Sequence, residues 1–366
     1  MGAVVSETAG RASRLQVFKG KRVLLTGHTG FKGSWLALIL HALGAEVMGY
    51  ALAPAYADSH FELLGLDQRI NHVLGDVRDF AALDKVVRQF QPEIVFHLAA
   101  QALVRESYAD PKSTFDINVG GGLNLLEAVR ACDSVRAMVF VTSDKCYENV
   151  EWIWGYREND MMGGRDPYSA SKGAAEIVFS SYLRSYFSEQ PHFGAASARA
   201  GNVIGGGDWA ADRIVPDCIR ALLAGQPITL RNPSATRPWQ HVLEPLSGYL
   251  ELAARLHEAT HEFEGSWNFG PPVGDARTVL DVANMLAGQF AGGRVVSETS
   301  DRNPHEARLL QLNSDKARQL MQWSTRWDFE KTLEATGFWY RNVLLDGCDA
   351  AEVSLAQIKD YYGGEF

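Results

Sequence analysis

Residues 22–33 read Arg-Val-Leu-Leu-Thr-Gly-His-Thr-Gly-Phe-Lys-Gly, an apolar run that leads directly into three regularly spaced glycines. The run predicts a short buried strand, and the segments Ser34 to Leu43 and Glu46 to Tyr50 predict a helix and a second strand. This succession is the context in which a dinucleotide binds, because glycines let a pyrophosphate approach the N-terminus of the helix closely. The stretch therefore predicts the start of a dinucleotide-binding domain.

Strands and helices continue to alternate up to residue 199. Further strands are predicted at Ile70 to Leu74, Ile94 to Leu98, Ala137 to Thr142 and Ala195 to Arg199, and helices at Phe80 to Gln89, Phe115 to Ala131 and Pro167 to Glu189. Such alternation is typical of a parallel sheet with helices on both faces. The predicted fold class is α/β, a Rossmann-type doubly wound parallel sheet with a smaller C-terminal substrate-binding lobe.

The alternation breaks after Asn202, where a glycine-rich loop and shorter segments begin. Helices are predicted there near Pro245 to His257, Val279 to Phe290 and Ser314 to Met321. We therefore divide the chain into a loose N-terminal extension (1–18), an NAD-binding domain (19–204) and a mostly substrate-binding lobe (205–366). A segment near 236–258 is expected to return to the NAD-binding domain.

The composition excludes several classes of protein. The chain has 366 residues, 46% of them hydrophobic, and a formal net charge of −9. A nucleic-acid partner is not expected, because neutralising phosphates needs clustered Lys and Arg. No apolar run approaches the roughly 20 residues that span a bilayer, so we expect a soluble, cytoplasmic protein without a membrane partner. No metal site is expected either, since the four cysteines lack ligand spacing and His257 and His261 lack a third ligand.

Three residues indicate hydride chemistry at an alcohol carbon: Ser143, Tyr168 and Lys172. Tyr168 and Lys172 lie four residues apart, so they share one face of a helix, where an ammonium group can stabilise a phenolate. Ser143 follows a predicted buried strand, at the edge of the sheet where ligands bind. Asp144 and Lys145 come next, and they add an acid and a base that simple oxidation does not require.

The end of the second predicted strand carries no Asp or Glu for the adenosine ribose and no Arg for a 2′-phosphate. We therefore expect NAD(H) rather than NADP(H), with weak retention, and His28 and Lys32 are candidates to contact phosphate or ribose. Asp76 is a candidate to bind the adenine amino group, whereas Asn118 is expected to bridge two strands through a water. The predicted cofactor-binding residues are Gly27, Thr29, Gly30, Phe31, Lys32, Gly33, Asp76, Val77, Leu98, Ala99, Ala100, Thr142, Tyr168 and Lys172.

Four motifs carry a resemblance to a known family: TGHTGFKG at 26–33, VTSDKCY at 141–147, YSASK at 168–172 and RAGNVIGGGDW at 199–209. From Lys21 to about Trp339 the chain resembles the nucleotide-sugar branch of the extended short-chain dehydrogenases/reductases, and within it the CDP-glucose 4,6-dehydratases. Most sugar-nucleotide 4,6-dehydratases have Asp-Glu where this chain has Asp144-Lys145. That departure is itself a feature of the CDP-glucose type. It leaves open which group removes the proton from C5.

The resemblance implies that Ser143, Tyr168 and Lys172 form the hydride-transfer site and that Asn202 and arginines of the second lobe hold the nucleotide diphosphate. The predicted substrate-binding residues are Gln101, Asn202, Arg213, Arg237 and Arg302. The implied reaction converts CDP-D-glucose to CDP-4-keto-6-deoxy-D-glucose, a precursor of 3,6-dideoxysugars of lipopolysaccharide O-antigens. The alternatives are a 4-epimerase, a dehydratase for another nucleotide sugar and, more remotely, a non-catalytic NAD-sensing protein.

The two long helices at 115–131 and 167–189 predict a homodimer or homotetramer built through a helix bundle.

Overall fold

The computed structural model of the protein describes residues 14–297 and 309–364. Its centre is a seven-stranded parallel sheet in the order β11-β6-β5-β4-β1-β2-β3. The strands of this sheet are β1 (Arg22–Thr26), β2 (Glu46–Ala51), β3 (Asn71–Leu74), β4 (Ile94–His97), β5 (Ala137–Val141), β6 (Gly194–Arg199) and β11 (Gly265–Asn268). The order reverses between β1 and β4, as in Rossmann-type folds. The predicted fold class is confirmed.

The central strands are buried on both faces, which explains their nearly continuous apolar sequences. All residues of β4, β5 and β6 are buried, whereas β3 at the edge of the sheet is largely exposed. The helices that cover the two faces and extend the second lobe are α1 (Phe31–Ala42), α2 (His60–Leu63), α3 (Phe80–Phe90), α4 (Val104–Ala109), α5 (Pro111–Phe115), α6 (Gly122–Arg130), α7 (Pro167–Tyr182), α8 (Ile214–Leu223), α9 (Leu243–Glu258), α10 (Val279–Ala287), α11 (Asp315–Met321), α12 (Phe329–Leu344) and α13 (Ala350–Tyr361). Within the described ranges, no helix combines the length and the apolar character needed to cross a membrane.

Two predicted helices are interrupted by wider turns. The segment predicted as one helix over 115–131 consists of α5, a π-helical turn at Asp116–Gly121, and α6. Likewise α7 ends at Tyr182 and continues as a π-helical turn at Leu183–Phe187. A side chain at Gly121 would collide with Val77, since its Cβ would lie 2.5 Å from Val77 Cγ2. The first interruption thus brings the backbone close to the segment that follows β3.

The second lobe contains short strand pairs. They are formed by β8 (Ile228–Leu230) with β13 (Val295–Ser297), by β9 (Thr236–Arg237) with β12 (Arg277–Thr278), and by β7 (Val203–Ile204) with β10 (Gln240–His241). The chain then returns to the main sheet in two places. Helix α9 packs on β5 and β6, and β11 pairs with β6 as the seventh strand. The sequence did not indicate β11, whose four residues Gly-Ser-Trp-Asn lack an apolar run.

The N-terminal segment differs from the expected loose extension where the structure describes it. Leu15 and Phe18 are buried, and the rings of Phe18 and Phe96 lie 6.2 Å apart. These two side chains belong to the main hydrophobic core, so the chain is already packed onto the domain from residue 15. Residues 1–13 lie outside the described ranges.

Candidate functional site

The glycine turn between β1 and α1 is packed against the end of β4. Gly27 has φ +77, and a Cβ there would lie 2.6 Å from the backbone nitrogen of Ala99. A Cβ on Gly33 would lie 2.0 Å from the carbonyl oxygen of Gly27. The fold itself therefore requires these two glycines. Gly30 is different, because its Cβ would meet only the Gly27 carbonyl oxygen, at 3.4 Å.

The N-terminus of α1 fits an anionic cofactor. Gly30 is its N-cap residue and supplies no side-chain cap, so the first N–H groups of this 12-residue helix, from Phe31 onward, have no side-chain acceptor there. Such an end favours a diphosphate through its N–H groups and its dipole. Thr29 donates a hydrogen bond of 2.9 Å to the carbonyl oxygen of Leu52, which ties the turn to the end of β2. The arrangement matches the predicted dinucleotide site.

The expectation that His28 contacts phosphate or ribose is wrong. The imidazole is fully buried, and its ring lies 5.3 Å from that of Phe61 and 5.4 Å from that of His72. Burial and the neighbouring His72 lower the pKa of His28 to about 4, which keeps the ring neutral. The His28 ring packs against Gly49 of β2, where a Cβ would lie 2.4 Å from His28 Cγ, so the residue has a structural role in the turn.

Two of the predicted adenosine contacts have other partners in the structure. Arg78 donates to the Asp76 carboxylate from Nε at 3.0 Å and from Nη2 at 2.6 Å, and this contact lowers the pKa of Asp76. Val77 is buried and packs into the core beneath the sheet. An adenine amino group would therefore share the Asp76 carboxylate with Arg78.

The loop after β4 is organised by Asn118. Leu98, Ala99 and Ala100 are partly exposed there, next to the glycine turn. Asn118 accepts from the Gln101 N–H at 2.9 Å and donates to the Gln101 carbonyl and to Ser171 Oγ. Asn118 therefore has a structural role, but it joins the loop to α7 directly and does not bridge two strands through a water as expected. The side-chain amide of Gln101 bonds to the Leu103 backbone and to Thr114, so contact with a substrate would require it to exchange partners.

The end of β5 brings the predicted reactive groups together. Ser143 and Asp144 are both buried, and Ser143 Oγ donates to Asp144 Oδ1 at 2.9 Å. Lys145 is partly exposed, and its backbone N–H donates to Ser143 Oγ at 3.3 Å. Thr142 instead donates its hydroxyl to Glu176, a buried residue of α7.

Tyr168 and Lys172 lie in the first turns of α7, which is capped by Asp166 through a 2.9 Å bond from the Ser169 N–H. Burial raises the pKa of Tyr168 to about 12, while a hydrogen bond with Ser143 and the charge of Arg213 lower it. Burial lowers the pKa of Lys172 to about 8, opposed mainly by Glu176. Ser143 and Arg213 thus both favour the ionised form of the phenol, and the lowered pKa of Lys172 brings its ammonium group closer to neutral pH.

The end of β6 surrounds Asp144. Asn202 has φ +53, and its Nδ2 lies 3.5 Å from Asp144 Oδ2. A Cβ on the preceding Gly201 would lie 1.9 Å from the same oxygen. Asn202 is thus placed beside Asp144, and Gly201 is required for that approach. The sequence drew attention to Asn202 but not to Gly201.

Asp208 is a buried group that sequence reasoning missed. Its carboxylate pairs with Arg213, with Nη1 to Oδ2 at 3.1 Å, and it raises the pKa of Arg213. Lys32 lies within range of the same charges: burial, Arg213 and Lys172 lower its pKa to about 8, and Asp144 and Asp208 oppose this. Lys32 therefore belongs to the charged cluster at the centre of the site. The sequence had pointed to Lys32 because of its position at the start of α1. It had suggested a contact with phosphate or ribose and not a place in this charged cluster.

Two predicted arginines, Arg237 and Arg302, remain. Arg237 is in β9, and its Nη1 donates to the Thr236 carbonyl at 2.8 Å. Arg302 lies outside the described residues.

Comparison with known proteins gives concordant results. Residues 24–336 match the family model described as GDP-mannose 4,6 dehydratase. The chain is 47% identical to the CDP-glucose 4,6-dehydratase of Salmonella typhimurium, over 94% of this chain and 97% of that protein. It is 25% identical to the UDP-glucose 4-epimerase of Lacticaseibacillus casei, over 87% of this chain and 97% of the relative. The structure of Thermus thermophilus UDP-glucose 4-epimerase in complex with NAD aligns with a TM-score of 0.75 at 28% identity, covering 88% of this chain and all of that one.

Proposed function

This chain belongs to the GDP-mannose 4,6 dehydratase family, and on that premise we propose that it converts CDP-D-glucose to CDP-4-keto-6-deoxy-D-glucose and water with NAD as cofactor. The main support for CDP-glucose as the substrate is the similarity to the Salmonella enzyme along nearly the whole chain. The Asp144-Lys145 pair supports the same choice. The buried Asp144 carboxyl beside Ser143 favours dehydration over epimerisation, because epimerisation at C4 needs no acid for a hydroxyl at C6.

NAD, when bound, supplies the acceptor and later the donor of the hydride that the sugar loses at C4 and regains at C6. Tyr168 takes the proton of the C4 hydroxyl, and Lys172 and Arg213 stabilise the phenolate that this requires. Ser143 donates a hydrogen bond to the developing C4 ketone. These three roles are common to dehydratases and epimerases.

The elimination step requires two further groups. The C4 ketone acidifies the C5 hydrogen, and the Lys145 amine in its neutral form removes it. Asp144 in its protonated form donates to the C6 hydroxyl, which leaves as water. Asn202 contacts the Asp144 carboxyl, and Gly201 leaves the space that this carboxyl occupies. For the diphosphate of the substrate we propose Asn202 and Arg213 as ligands, since a guanidinium matches phosphate oxygens well.

The decisive experiment incubates the purified protein and NAD⁺ with CDP-, UDP-, GDP- and dTDP-glucose in parallel. We expect loss of one water from CDP-glucose, measured by mass spectrometry, and the absorbance of a 4-keto sugar in alkali. A product of unchanged mass with inverted C4 would instead identify an epimerase, and no turnover of any sugar would favour an NAD-sensing protein.

Tyr168→Phe tests the assignment of the base. We expect turnover to fall by roughly 10²- to 10⁴-fold, the usual contribution of a positioned acid or base. Tyr186→Phe is the matched control, because Tyr186 is exposed after the end of α7. Wild-type turnover in Tyr168→Phe refutes the role of this residue.

We further propose a cytoplasmic homodimer or homotetramer that supplies deoxysugar precursors for lipopolysaccharide. Leu123 on α6 and Ile177 on α7 are exposed, which supports pairing of these helices across a two-fold axis. Light scattering on the purified protein measures the assembly, and Ile177→Lys is expected to weaken it.

A further inference from the structure

Helix α7 carries a third buried residue in line with Tyr168 and Lys172. Glu176 lies four residues after Lys172, on the same face of the helix, and all three side chains are buried. The proposed reaction assigns Glu176 no proton and no contact with the sugar. A buried charge with no chemical task needs another explanation.

The Glu176 carboxylate joins β6, β11 and the residue that follows β5. Oε1 accepts from Arg199 Nε at 2.9 Å and from the hydroxyl of Thr142. Oε2 accepts from Arg199 Nη2 and Ser197 Oγ, both at 2.8 Å, and from Ser266 Oγ at 3.4 Å. With both oxygens filled in this way, Glu176 is suited to hold its neighbours and not to exchange protons with a substrate.

Arg199 extends the contact beyond the carboxylate. Its Nη1 donates to the hydroxyl of Tyr147 at 2.6 Å and to the Glu158 carbonyl at 3.0 Å. The Tyr147 hydroxyl in turn donates to Asn268 Oδ1 at 2.8 Å. One buried ion pair therefore reaches Tyr147 as well as Thr142.

Thr142 and Tyr147 flank the reactive turn Ser143–Lys145 on its two sides. Glu176 holds the residue before the turn, and Arg199 holds a residue shortly after it. We propose that the buried Glu176–Arg199 pair is a clamp that fixes both ends of the Ser143–Lys145 turn, so that both are positioning residues for the chemistry; this rests on the proposed function of that turn. A buried ion pair is weak evidence for a stabilising role, because apolar residues of similar size often replace one at no cost.

The clamp also acts on Lys172 through its charge. The charged and titratable groups that act on this ammonium are Glu176 on the same helix, Cys146 after β5, His97 at the end of β4 and Lys32 on α1. Among them Glu176 is the main group that raises the pKa of Lys172. Removing its charge makes Lys172 lose its proton at a lower pH.

Amide hydrogen exchange of the protein without cofactor or substrate tests the clamp directly. We expect Glu176→Gln and the milder Tyr147→Phe to speed exchange in residues 143–147 by roughly ten-fold, as loss of a hydrogen bond predicts. Glu251→Gln is the matched control, because Glu251 is an equally buried carboxylate of α9 that accepts from Arg255 at 2.9 Å. It should leave exchange in the turn unchanged.

Kinetics with CDP-glucose provide the second readout. Glu176→Gln should lower kcat with little change in KM and move the alkaline limb of the pH profile to lower pH. Glu176→Asp keeps the charge and should restore that limb. If Glu176→Gln does not fold, hydrogen exchange in Tyr147→Phe still tests the clamp, because this variant keeps the Glu176–Arg199 ion pair.

Unchanged exchange in the turn for Tyr147→Phe overturns the clamp. So does a Glu176→Gln enzyme that is less stable but has wild-type exchange in the turn and a wild-type pH profile. Failure of the proposed function is a separate outcome, because the exchange measurement needs no substrate.

Discussion

Two buried carboxyl groups of this protein, Asp144 and Glu244, have similar burial and different surroundings. Glu244 in α9 accepts from the backbone N–H groups of Arg326 and Trp327, at 3.0 and 2.8 Å, and from the Tyr361 hydroxyl at 2.6 Å. Asp144 accepts from Ser143 at 2.9 Å, and among the residues that the structure describes its other oxygen has a single contact, with Asn202 at 3.5 Å. A carboxylate has about four acceptor positions. Oδ2 of Asp144 can therefore carry a proton and donate it to a substrate hydroxyl, whereas both oxygens of Glu244 are occupied by donors of its own chain.

The comparison shows that burial or a displaced pKa does not by itself identify a catalytic acid. Burial raises the pKa of Glu244 to about 7, and yet this group joins α9 to the C-terminal helix α13 and lies outside the reactive cluster. What distinguishes Asp144 is that its neighbours are Ser143 and the Tyr168 site. A buried carboxyl oxygen that its own chain leaves largely unoccupied, next to the Ser143 hydroxyl, is thus the more useful signal.

The largest expected effect comes from Asp144→Asn. The amide keeps the shape of the group and can still accept from Ser143, but it cannot give a proton to the C6 hydroxyl. We expect product formation to fall by roughly 10²- to 10⁴-fold, while oxidation at C4 continues and reduced nicotinamide accumulates. Absorbance of the reduced cofactor, measured in a single turnover, checks this.

Glu244→Gln is the matched carboxamide control and should give wild-type turnover and no accumulated reduced cofactor. Equal losses in the two variants would erase the distinction between the two groups. Loss of C4 oxidation in Asp144→Asn would show that Asp144 acts before elimination.

Gly201→Ala changes the surroundings of Asp144 and leaves the carboxyl itself intact. The new Cβ would lie 1.9 Å from Asp144 Oδ2, so the carboxyl must move. A displacement of about 1 Å at a reacting group can cost on the order of 10²-fold in rate. We expect elimination to slow more than C4 oxidation, which stopped-flow absorbance resolves.

Gly120→Ala is the control for this substitution, since a Cβ at that glycine has no neighbour within 4 Å. If Gly201→Ala slows both steps equally, the substitution disturbs the whole site and says nothing specific about Asp144.

The grouping of the candidate side chains at the end of β5 was predictable because its signal is local. Ser143, Asp144, Tyr168 and Lys172 occur in two short motifs, and a parallel sheet brings the carboxyl ends of its strands to one edge. Gly201 depends instead on an approach between two strand ends, which spacing along one chain does not reveal. β11 has no apolar run of its own and is defined by pairing with β6. Glu244 gave no signal, because its ligands come from the distant residues Arg326, Trp327 and Tyr361.

Arg213→Gln should have a smaller effect, roughly ten-fold at neutral pH, in line with the loss of one partly screened charge. Arg213 lowers the pKa of Tyr168, so its removal raises that pKa. The phenolate then forms only at higher pH, and the acid limb of the kcat profile should move upward.

Arg318→Gln removes an equal charge from a surface pair with Asp315 and should leave the pH profile unchanged. A profile that is identical in Arg213→Gln and wild type, with only KM raised, would assign Arg213 to substrate binding alone. In that case the charge beside Tyr168 would not matter to the base.

Glu244→Gln should affect stability and not chemistry. In the folded protein the pKa of Glu244 is raised to about 7, above its ordinary value of 4.5, so the folded state holds the proton more tightly than the unfolded state. The contribution is fully present below about pH 4.5 and is lost as pH rises through about 7, on the order of 3 kcal/mol in all. Glutamine does not ionise, so this decline should be absent from the variant.

Urea unfolding at pH 5 and pH 8 measures the difference. Wild type should lose stability relative to Glu244→Gln between the two values, whereas Glu251→Gln should follow wild type. Parallel curves for wild type and Glu244→Gln would mean that its hydrogen bonds from Arg326, Trp327 and Tyr361 fully offset the burial of the charge. Ionising the buried Glu244 would then cost no more free energy than ionising an exposed carboxyl. The hydrogen bonds that occupy its oxygens, and not its degree of burial, would then be the difference between Glu244 and Asp144.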